Sequence, residues 1–371
     1  MAPFGDVMEN LLSLDLDHIL SRTEDLWPDV RGERFFLTGG TGFVGTWLME
    51  SLLWANRRLH LRISATVLTR NPAAFEHRSP HLACDPAVTL IAGDTTSFAF
   101  PKAFFPLIVH AATDAAHPSS VFGCDVASTA RVLEFARRSS VQRLLFTSSG
   151  VVYGKQPAGM THIPEDYPGA PLTTDLNSAY AQAKRASEFL CLSAGQACGF
   201  DISVARLFAF VGPYLPLDAN FAVGNFIRDV LARAPIRISG DGTPYRSYLY
   251  AADLAIWLWT ILLRGQPGRV YNVGSEEAIS IAGLAARVAS ALRSQSAISV
   301  AQQPQPGIPA PRYIPSTVRA RTELGLEQTI SLDEALRRTA AHATTTTSAC
   351  SESQVGQAVP PAQPAYAGGP Q

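Results

Sequence analysis

Lysine is the scarcest charged residue in this 371-residue chain. Of the 30 basic residues only three are lysines, namely Lys102, Lys155 and Lys184, and 31 acidic residues bring the formal net charge to −1. Nucleic acids and anionic membrane surfaces need partners with concentrated positive charge. The near-neutral balance therefore excludes both as the main partner.

Cysteine motifs and long apolar runs are also lacking. The five cysteines form no C-x-x-C pair and have no partnered histidine spacing, so we expect reduced thiols and no bound metal. The most apolar run, Ala255–Leu263, is too short to span a bilayer and is typical of a buried helix. The first ten residues lack the basic segment of a signal peptide. We therefore expect a soluble cytoplasmic protein.

Strand-like and helical segments alternate over the first half of the chain. Helical patterns at Val126–Arg138 and Ala179–Ser193 separate several of the strand-like runs. The apolar strand-like runs are Arg34–Leu37, Ile63–Leu68, Val88–Ile91, Leu107–His110, Arg143–Phe146 and Ile202–Phe208. This alternation predicts right-handed βαβ crossovers and a doubly wound parallel α/β sheet of the Rossmann type. We assign residues 33–211 to this dinucleotide-binding domain.

The segments on either side of this domain follow other patterns. Prolines loosen the alternation from Gly212, so we expect residues 212–340 to form mainly a smaller, irregular substrate-binding lobe. After about Ala341 the composition turns to Thr, Ser, Ala, Gln and Pro, which predicts a disordered tail over 341–371. Residues 1–32 form an N-terminal extension, in which Leu11–Leu20 has the pattern of one amphipathic helix without an assigned role.

The first predicted strand ends in a glycine-rich turn. Gly39, Gly42 and Gly45 follow it and open a helical pattern. Glycines so placed allow a tight turn and close approach of the backbone to a pyrophosphate, while the helix N-terminus faces the phosphates. A glycine-rich turn alone is weak evidence, but the flanking strand and helix predict a dinucleotide site, in which we also include Phe43 and Val44.

The end of the second predicted strand bears on the choice of cofactor. An acidic residue there accepts a hydrogen bond from a ribose 2′-hydroxyl, whereas a basic residue accommodates a 2′-phosphate. The strand is followed by Arg70 and no acidic residue precedes Glu76, which favours NADP(H). NAD(H) stays open, because Arg70 could instead stack on adenine or lie in solvent. Asp94, beside Thr95 after the third strand, either binds the adenine amino group or caps its own loop.

Tyr180 and Lys184 lie four residues apart on a predicted helix. This spacing places both side chains on one face. There the lysine ammonium would favour the ionised phenol, so that Tyr180 could move a proton near neutral pH while Lys184 also holds a nicotinamide ribose. The alternative is an exposed helix pair. With only ten tyrosines and three lysines in the chain, a tyrosine followed four residues later by a lysine rarely occurs by chance. A lysine here is also informative because the chain otherwise mostly uses arginine, and an ammonium is not interchangeable with a guanidinium.

Ser149 follows the fifth predicted strand, ahead of Tyr180 in the chain. Ligands of open α/β sheets bind at the carboxyl ends of the strands, where this hydroxyl could bond a reacting carbonyl or alcohol oxygen. A serine in a turn is by itself most often a turn residue. Its position after the glycine turn and before the Tyr180–Lys184 pair favours the catalytic interpretation.

These motifs, in this order, resemble the extended short-chain dehydrogenase/reductases, in particular the NAD-dependent epimerase/dehydratase family acting on nucleotide sugars. The resemblance covers about residues 33–340. The segments that carry it are Thr38–Gly45, His110–Ala112, Ser148–Gly154, Tyr180–Lys184 and Gly240–Arg246. It implies a catalytic triad of Ser149, Tyr180 and Lys184 and a nucleotide-sugar substrate.

The resemblance also implies contacts with both ligands. Besides the residues already given, the cofactor would be lined by Ala111, Ala112, Thr113 and Thr147. Arg246 would contact the substrate diphosphate. Further substrate candidates are Ser149, Val151, Asn225 and Arg312, of which the last two have surface or packing roles as alternatives.

Two positions depart from the dehydratases and decarboxylases of the family. The dTDP-glucose 4,6-dehydratases carry Thr-Asp-Glu where this chain has Ser149-Gly150-Val151, and similar decarboxylases keep a Glu at the position of Val151. Those acids act on the sugar, and neither Gly150 nor Val151 can exchange a proton. The resemblance therefore disfavours dehydration and decarboxylation, unless Glu165 or Asp166 reaches into the site.

Hydride transfer at C4 of a nucleotide sugar is the chemistry that remains. Arg70 favours an NADPH-dependent 4-ketoreductase of a nucleotide 4-keto-6-deoxyhexose, and an NAD-dependent 4-epimerase is the alternative. A non-catalytic cofactor-binding relative is disfavoured, because the Tyr180–Lys184 pair is kept. Family members are often dimers through paired helices, which implies a homodimer here through Val126–Arg138 and Ala179–Ser193.

Overall fold

The computed structural model describes residues 4–113, 120–219 and 221–355, and within these ranges the side chains of residues 12–345. The α-helices are α1 (Phe4–Thr23), α2 (Phe43–Arg58), α3 (Pro72–Arg78), α4 (Pro80–Ala83), α5 (Val121–Arg138), α6 (Ala179–Cys198), α7 (Ala222–Leu231), α8 (Ala251–Arg264), α9 (Ile281–Ala291), α10 (Val318–Leu324) and α11 (Leu332–Val355). Short 3-10 helices cover Glu24–Val30, Gly150–Tyr153 and Leu176–Ser178.

The strands make one large sheet and several small ones. They are β1 (Arg34–Thr38), β2 (Ser64–Thr69), β3 (Val88–Ala92), β4 (Leu107–His110), β5 (Arg143–Ser149), β6 (Asp201–Leu207), β7 (Phe210–Val211), β8 (Ile236–Ile238), β9 (Tyr245–Arg246), β10 (Leu249–Tyr250), β11 (Val270–Val273), β12 (Ile279–Ser280), β13 (Ile298–Val300) and β14 (Arg312–Tyr313). The large sheet has the order β3-β2-β1-β4-β5-β6-β11.

Each neighbouring pair in this seven-stranded sheet is parallel. The strand order reverses between β1 and β4, and ligands of open α/β sheets bind at such a point. The predicted doubly wound parallel sheet is confirmed, and each of the six strands predicted from the sequence corresponds to a strand of this sheet.

Alternate side chains of β1 enter different cores. Phe35 and Leu37 belong to the core that includes residues of α1, α2 and α8, whereas Phe36 packs on the other face against Phe135 of α5, with ring centroids 4.6 Å apart. Successive residues of a strand point to opposite faces, and helices cover both faces of a parallel sheet. The two cores hold β1 firmly, and with it the turn at its carboxyl end.

The most apolar helix belongs to the main sheet and not to the second lobe. α8 contains the run predicted as a buried helix, and its residues from Ala251 to Leu263 are all buried. It packs on β5 and β6, after which the chain adds β11 beside β6. Segments after the expected boundary at residue 212 therefore belong to the first domain. α8 is apolar on all sides, and such a helix must be covered on all sides. No helix in the described ranges is long and apolar enough to cross a membrane.

The smaller lobe contains α7, α9 and short strands. β8 pairs with β13, and β9 lies between β12 and β14. In the parallel pairing of β9 with β14, Arg312 is the partner of Tyr245 and Tyr313 is the partner of Arg246. This register places Tyr313 and Arg246 side by side although they are far apart in the sequence.

The N-terminal extension is part of the first core. α1 contains the predicted helix Leu11–Leu20 and buries Leu12, Leu16 and Ile19. It packs against α2 and α8. The extension therefore covers apolar surface of the domain that contains the large sheet.

The C-terminal segment differs from the predicted tail. α11 continues to Val355, so the expectation of disorder from Ala341 does not hold for residues 341–355. His342 is buried in contact with the ring of Tyr214, at 4.9 Å between centroids, and the first proline after α11 comes only at Pro360. Residues 356–371, the rest of the expected tail, lie outside the described residues.

Candidate active site

A cleft of about 1190 Å³ lies at the carboxyl ends of the central strands. Segments that follow β1 to β6 line it, together with residues of α6 and β14. All fourteen residues predicted to contact a cofactor are on this lining, namely Gly39, Gly42, Phe43, Val44, Gly45, Arg70, Asp94, Thr95, Ala111, Ala112, Thr113, Thr147, Tyr180 and Lys184. Their role in binding stays a prediction, but their common location is a property of the fold.

The glycine turn is packed too closely for larger residues. Gly39 has φ +72°, and a Cβ there would lie 2.5 Å from the carbonyl of Ala111. A Cβ on Gly45 would lie 2.2 Å from the carbonyl oxygen of Gly39. α2 begins at Phe43 without a side-chain cap, which leaves backbone N–H groups at its N-terminus for a phosphate.

Two buried hydroxyls on the cleft lack partners within the described structure. Ser128 Oγ and Ser148 Oγ have no hydrogen-bond partner there, and both residues line the cleft. Buried polar atoms are rarely left unsatisfied. Together with the glycine turn, these hydroxyls fit a polar ligand such as a nicotinamide dinucleotide. Within the described residues no group of His, Cys, Asp and Glu could hold a metal ion.

Two arginines lie at the end of the cleft near β2. Arg70 follows β2 and is exposed. Arg78, which the sequence analysis missed, also lines the cleft, donates a hydrogen bond to the carbonyl oxygen of Thr41 in the glycine turn, and has its guanidinium 5.6 Å from the ring centroid of Phe75. The cleft therefore carries positive charge on this side.

Asp94 is engaged in its own loop. Its Oδ1 accepts hydrogen bonds from the backbone N–H of Thr96 at 2.8 Å and from the hydroxyl of Thr96 at 2.6 Å. These bonds, with a smaller contribution from the positive charge of Arg70, lower the pKa of Asp94. Asp94 thus has the loop-capping contacts that the sequence left open as its alternative role, and it also lies on the cleft.

Tyr180 and Lys184 lie one turn apart near the start of α6. The Lys184 Nζ is 5.7 Å from the ring centroid of Tyr180 and donates to the carbonyl oxygen of Thr147 at 3.3 Å. It is also 3.4 Å from Oδ2 of Asp125, and the two side chains are only 3% and 4% exposed. Lys184 is therefore fixed in a buried ion pair beside the predicted proton donor.

Asp125 is a site residue that the sequence analysis missed. It comes from α5, lines the cleft and accepts a hydrogen bond from the hydroxyl of Thr113 at 3.1 Å. The available signal was its helical position, because Val121, Thr129 and Val132 bury the same face of α5. A carboxylate on the buried face of a helix needs a partner.

His110 lies behind this ion pair and remains neutral. Its ring nitrogens are 2.7 Å from Thr38 Oγ1 and 3.2 Å from Thr129 Oγ1. Burial, with the positive charge of Lys184, lowers the pKa of His110 to about 3. The ring thus links β1, β4 and α5 by hydrogen bonds without adding a second charge.

Ser149 faces a second tyrosine that the sequence analysis did not single out. Its Oγ is 3.5 Å from the hydroxyl of Tyr313 and 3.4 Å from the backbone N–H of Val151. Tyr313 and Arg246 both line the cleft, and the guanidinium of Arg246 is 5.7 Å from the ring centroid of Tyr313. Among the predicted substrate residues, Ser149 and Arg246 are the two that lie on the cleft.

The other three predicted substrate residues lie off the cleft lining. Val151 contributes a backbone N–H to Ser149 from the 3-10 helix. Asn225 accepts a hydrogen bond from Arg228 at 3.1 Å, and Arg312 stacks its guanidinium 4.6 Å from the ring centroid of Tyr245. Asn225 and Arg312 thus have packing contacts of the kind left open as their alternative roles, and their part in substrate binding stays a prediction.

Glu165 and Asp166 do not reach the cleft. Glu165 is held away from it, since its Oε1 accepts the backbone N–H of Asn272 at 2.9 Å and its Oε2 is 3.9 Å from Arg319. Burial raises the pKa of Glu165. Asp166 is exposed, and neither residue is part of the cleft lining.

The position after Ser149 is closed by an aromatic ring. A Cβ on Gly150 would lie 2.6 Å from the ring of Phe208, and Phe208 in turn stacks on Tyr313 with centroids 4.6 Å apart. The site that an acidic side chain would need at this position is therefore occupied by the Phe208 ring.

Known proteins are similar to this chain over most of its length. The family model described as the NAD dependent epimerase/dehydratase family matches residues 35–274. UDP-glucuronic acid decarboxylase 6 of Arabidopsis thaliana is 27% identical over 310 residues, which are 82% of this chain and 86% of that protein.

Solved structures show the same fold. The UDP-glucuronic acid 4-epimerase of Bacillus cereus, in complex with UDP-glucuronic acid and NAD, has a TM-score of 0.72 and 21% identity, covering 84% of this chain and 99% of that one. The dTDP-glucose 4,6-dehydratase of Bacillus anthracis, in complex with NAD, has a TM-score of 0.72 and 17% identity, covering 85% and 98%. The predicted family is confirmed: this chain belongs to the NAD-dependent epimerase/dehydratase family of nucleotide-sugar enzymes.

Proposed function

We propose that this protein is a nucleotide-sugar oxidoreductase that reduces the 4-keto group of a nucleotide 4-keto-6-deoxyhexose, with NADPH as the reductant. The observation that carries the proposal is the set of groups around Ser149. Tyr180 and Lys184 provide a proton donor and its counter-charge. The described cleft lining carries two carboxylates, of which Asp125 faces Lys184 and Asp94 follows the edge strand β3. Neither is placed to act as an acid beside Ser149.

In this reaction the bound nucleotide would supply a hydride to C4 of the sugar. Tyr180 would donate a proton to O4, so that the ketone becomes an alcohol, and the ammonium of Lys184 would stabilise the resulting phenolate. The hydroxyl of Ser149 would donate a hydrogen bond to O4 and orient the carbonyl. Asp125 and the carbonyl oxygen of Thr147 would keep Lys184 in place.

The structure at positions 150, 151 and 165 gives no support for an elimination or a decarboxylation that uses acidic residues. A side chain on Gly150 would have to displace the Phe208 ring, and Val151 lies off the cleft lining. Glu165 is committed to the backbone of Asn272. For this reason we do not extend the decarboxylase activity of the Arabidopsis relative to this chain.

The preference for NADP(H) over NAD(H) is a separate part of the proposal. It is supported by Arg70 and Arg78 on the cleft and by the lack of an acidic residue between the end of β2 and Glu76 that could bind a ribose 2′-hydroxyl. The similar solved structures contain NAD, so the preference needs a direct test. We expect Arg70→Ala to weaken binding of NADP⁺ about 10-fold and binding of NAD⁺ little. Arg137→Ala, an exposed arginine of α5, is the control. Equal weakening of both nucleotides by Arg70→Ala would count against a 2′-phosphate site.

Turnover assays separate the reductase from the epimerase. The purified chain is incubated with dTDP-4-keto-6-deoxyglucose and NADPH, and the dTDP-sugars are identified by mass spectrometry and NMR. We expect consumption of one NADPH per reduced sugar, and a loss of at least about 100-fold in Tyr180→Phe. A protein that retains nucleotide through purification and inverts C4 of UDP-glucose or UDP-glucuronic acid with none supplied would be an epimerase, and the reductase proposal would fail.

A homodimer through α5 and α6 completes the proposal. These helices pack together beside the central sheet and expose Phe122 and Phe189, which are 48% and 72% accessible. Exposed aromatic side chains on adjacent helices are typical of an interface. We expect a dimer in light scattering and a shift to monomer in Phe189→Glu. An unchanged mass in this variant would refute the interface.

A further inference from the structure

The hydroxyl of Tyr313 is a polar group of the cleft that the proposed reaction leaves without a role. β14 carries Tyr313 into the wall of the cleft beside Arg246, its register partner on β9. The hydroxyl is 3.5 Å from Ser149 Oγ and 3.4 Å from the carbonyl oxygen of Leu207. It therefore touches the hydroxyl that would bind the sugar oxygen.

The position of this hydroxyl is fixed by the packing of its ring. Phe208 stacks on one side, at 4.6 Å and 34° between the rings, and the guanidinium of Arg246 lies 5.7 Å from the ring centroid. Phe208 can occupy its position because residue 150 is a glycine. The phenol oxygen is thus held near Ser149 by groups that do not themselves take part in proton transfer.

Tyr313 also stays protonated at all pH values at which the enzyme would work. Desolvation raises the pKa of Tyr313, and the hydrogen bond with Ser149 and the charge of Arg246 offset this only in part. Tyr180 and Tyr313 therefore differ in kind. Tyr180 is the one next to an ammonium, whereas Tyr313 is a neutral phenol that can donate a hydrogen bond but not release its proton.

The donors around Ser149 determine where its own proton points. The Oγ atom can accept from the N–H of Val151 and from the hydroxyl of Tyr313. A serine hydroxyl has two acceptor lone pairs and one donor hydrogen. Tyr313 has one hydroxyl hydrogen and two acceptors within reach, the carbonyl oxygen of Leu207 and Ser149 Oγ. When that hydrogen and the N–H of Val151 both point to Oγ, the O–H of Ser149 is directed into the open cleft, toward a substrate oxygen.

We propose that Tyr313 is a positioning residue of the active site, which orients the hydroxyl of Ser149 for the reacting sugar oxygen. This inference rests on the proposed role of Ser149 and extends it. Tyr313 would act through Ser149 and not on the sugar directly. Its contribution should therefore vanish when Ser149 is absent.

A double-mutant cycle tests this dependence. The variants are Tyr313→Phe, Ser149→Ala and the two combined, assayed with dTDP-4-keto-6-deoxyglucose and NADPH, or with UDP-glucose and NAD⁺ if only that pair is turned over. We expect Tyr313→Phe to lower kcat about 10-fold, the size of one net hydrogen bond, with KM changed less than about twofold. In the Ser149→Ala background the same substitution should have no further effect on kcat.

A matched control is available in Tyr153. This buried phenol donates to Oδ1 of Asn272 at 2.7 Å, away from the cleft lining. Tyr153→Phe should lower the melting temperature and leave kcat unchanged, whereas Tyr313→Phe should lower kcat at full occupancy of both ligands. Additive effects of Tyr313→Phe and Ser149→Ala on kcat, or an effect of Tyr313→Phe on KM alone, would overturn the inference.

The same double-mutant cycle can be measured by urea unfolding, which needs no substrate. This measurement distinguishes the positioning role of Tyr313 from the proposed function. Coupling between Ser149 and Tyr313 in the unfolding free energy supports their contact even if none of the sugars is turned over, in which case the proposed function has failed and the contact has not. No coupling in unfolding would overturn the inference. If Ser149→Ala leaves kcat unchanged, both the proposed function and the positioning role are refuted.

Discussion

Removal of the charge of Asp125 should destabilise the protein far more than removal of a similar charge at the surface. The carboxylate of Asp125 lies 3.4 Å from the Lys184 Nζ, with both side chains almost fully buried. At this distance and an effective dielectric constant of about 20, the Coulomb attraction is about 5 kcal/mol. Asp125→Asn keeps the size of the side chain and leaves the buried ammonium without its counter-charge. We expect the unfolding free energy to fall by about 3–5 kcal/mol.

The chain contains a matched control for this measurement. Arg143 and Asp201 form an ion pair of nearly the same length, 3.5 Å, but their side chains are 33% and 38% exposed. Solvent screens such a pair, so Asp201→Asn should cost no more than about 1 kcal/mol. Urea unfolding of both variants at neutral pH gives the comparison. Equal losses in the two variants would refute the conclusion that burial, and not contact distance, makes the Asp125–Lys184 pair important.

The same variant should alter the balance between oxidised and reduced cofactor. Asp125 and Lys184 both line the cleft, and an oxidised nicotinamide ring carries one positive charge more than a reduced ring. Without the carboxylate, the ammonium of Lys184 would repel the oxidised ring. We expect the ratio of the Kd for NADP⁺ to the Kd for NADPH to rise about 10-fold in Asp125→Asn, measured by titration calorimetry. An unchanged ratio would place the ring outside the influence of this pair.

Three further predictions follow from the packing and charge of the site. Gly45→Ala should lower the unfolding free energy by about 1–3 kcal/mol, because its Cβ would lie 2.2 Å from the carbonyl oxygen of Gly39; Gly42→Ala, with 3.5 Å to the same atom, should cost little in a thermal melt. The folded chain protonates His110 only near pH 3 and the unfolded chain near pH 6.5, so stability falls as the pH falls through this window, by about 2 kcal/mol at pH 5. Urea titrations should show a shallower fall in His110→Gln. Glu165→Gln should keep full kcat, because this carboxylate lies off the cleft, and a 10-fold loss would show that it acts as an acid.

Features that depend on neighbours in the sequence were predicted well. The glycine turn follows β1 directly, and the close neighbours of Gly45 are Gly39 and Gly40 of the same turn. Tyr180 and Lys184 face the same way because they are four residues apart on α6. Such local patterns identify the strands of the large sheet and many of the residues that line the cleft.

Features that depend on distant pairings were missed. Tyr313 meets Ser149 across 164 positions, through the pairing of two-residue strands that have no period of their own. Asp125 meets Lys184 through the packing of α5 on α6. The C-terminal helix was missed for another reason, since composition alone did not show that His342 would be buried against Tyr214.

The lack of an acidic residue at position 150 could be read from the sequence, but the packing that fills this position could not. Gly150 indicates only that no carboxylate follows Ser149. In the structure the space is filled by Phe208, which stacks on Tyr313. An acid placed at position 150 would have to displace the Phe208 ring, and with it the tyrosine whose hydroxyl contacts Ser149. The neighbouring carboxylate of Glu165 is held elsewhere by the backbone N–H of Asn272. One packing arrangement thus fills the space beside residue 150 and holds the phenol of Tyr313 against Ser149.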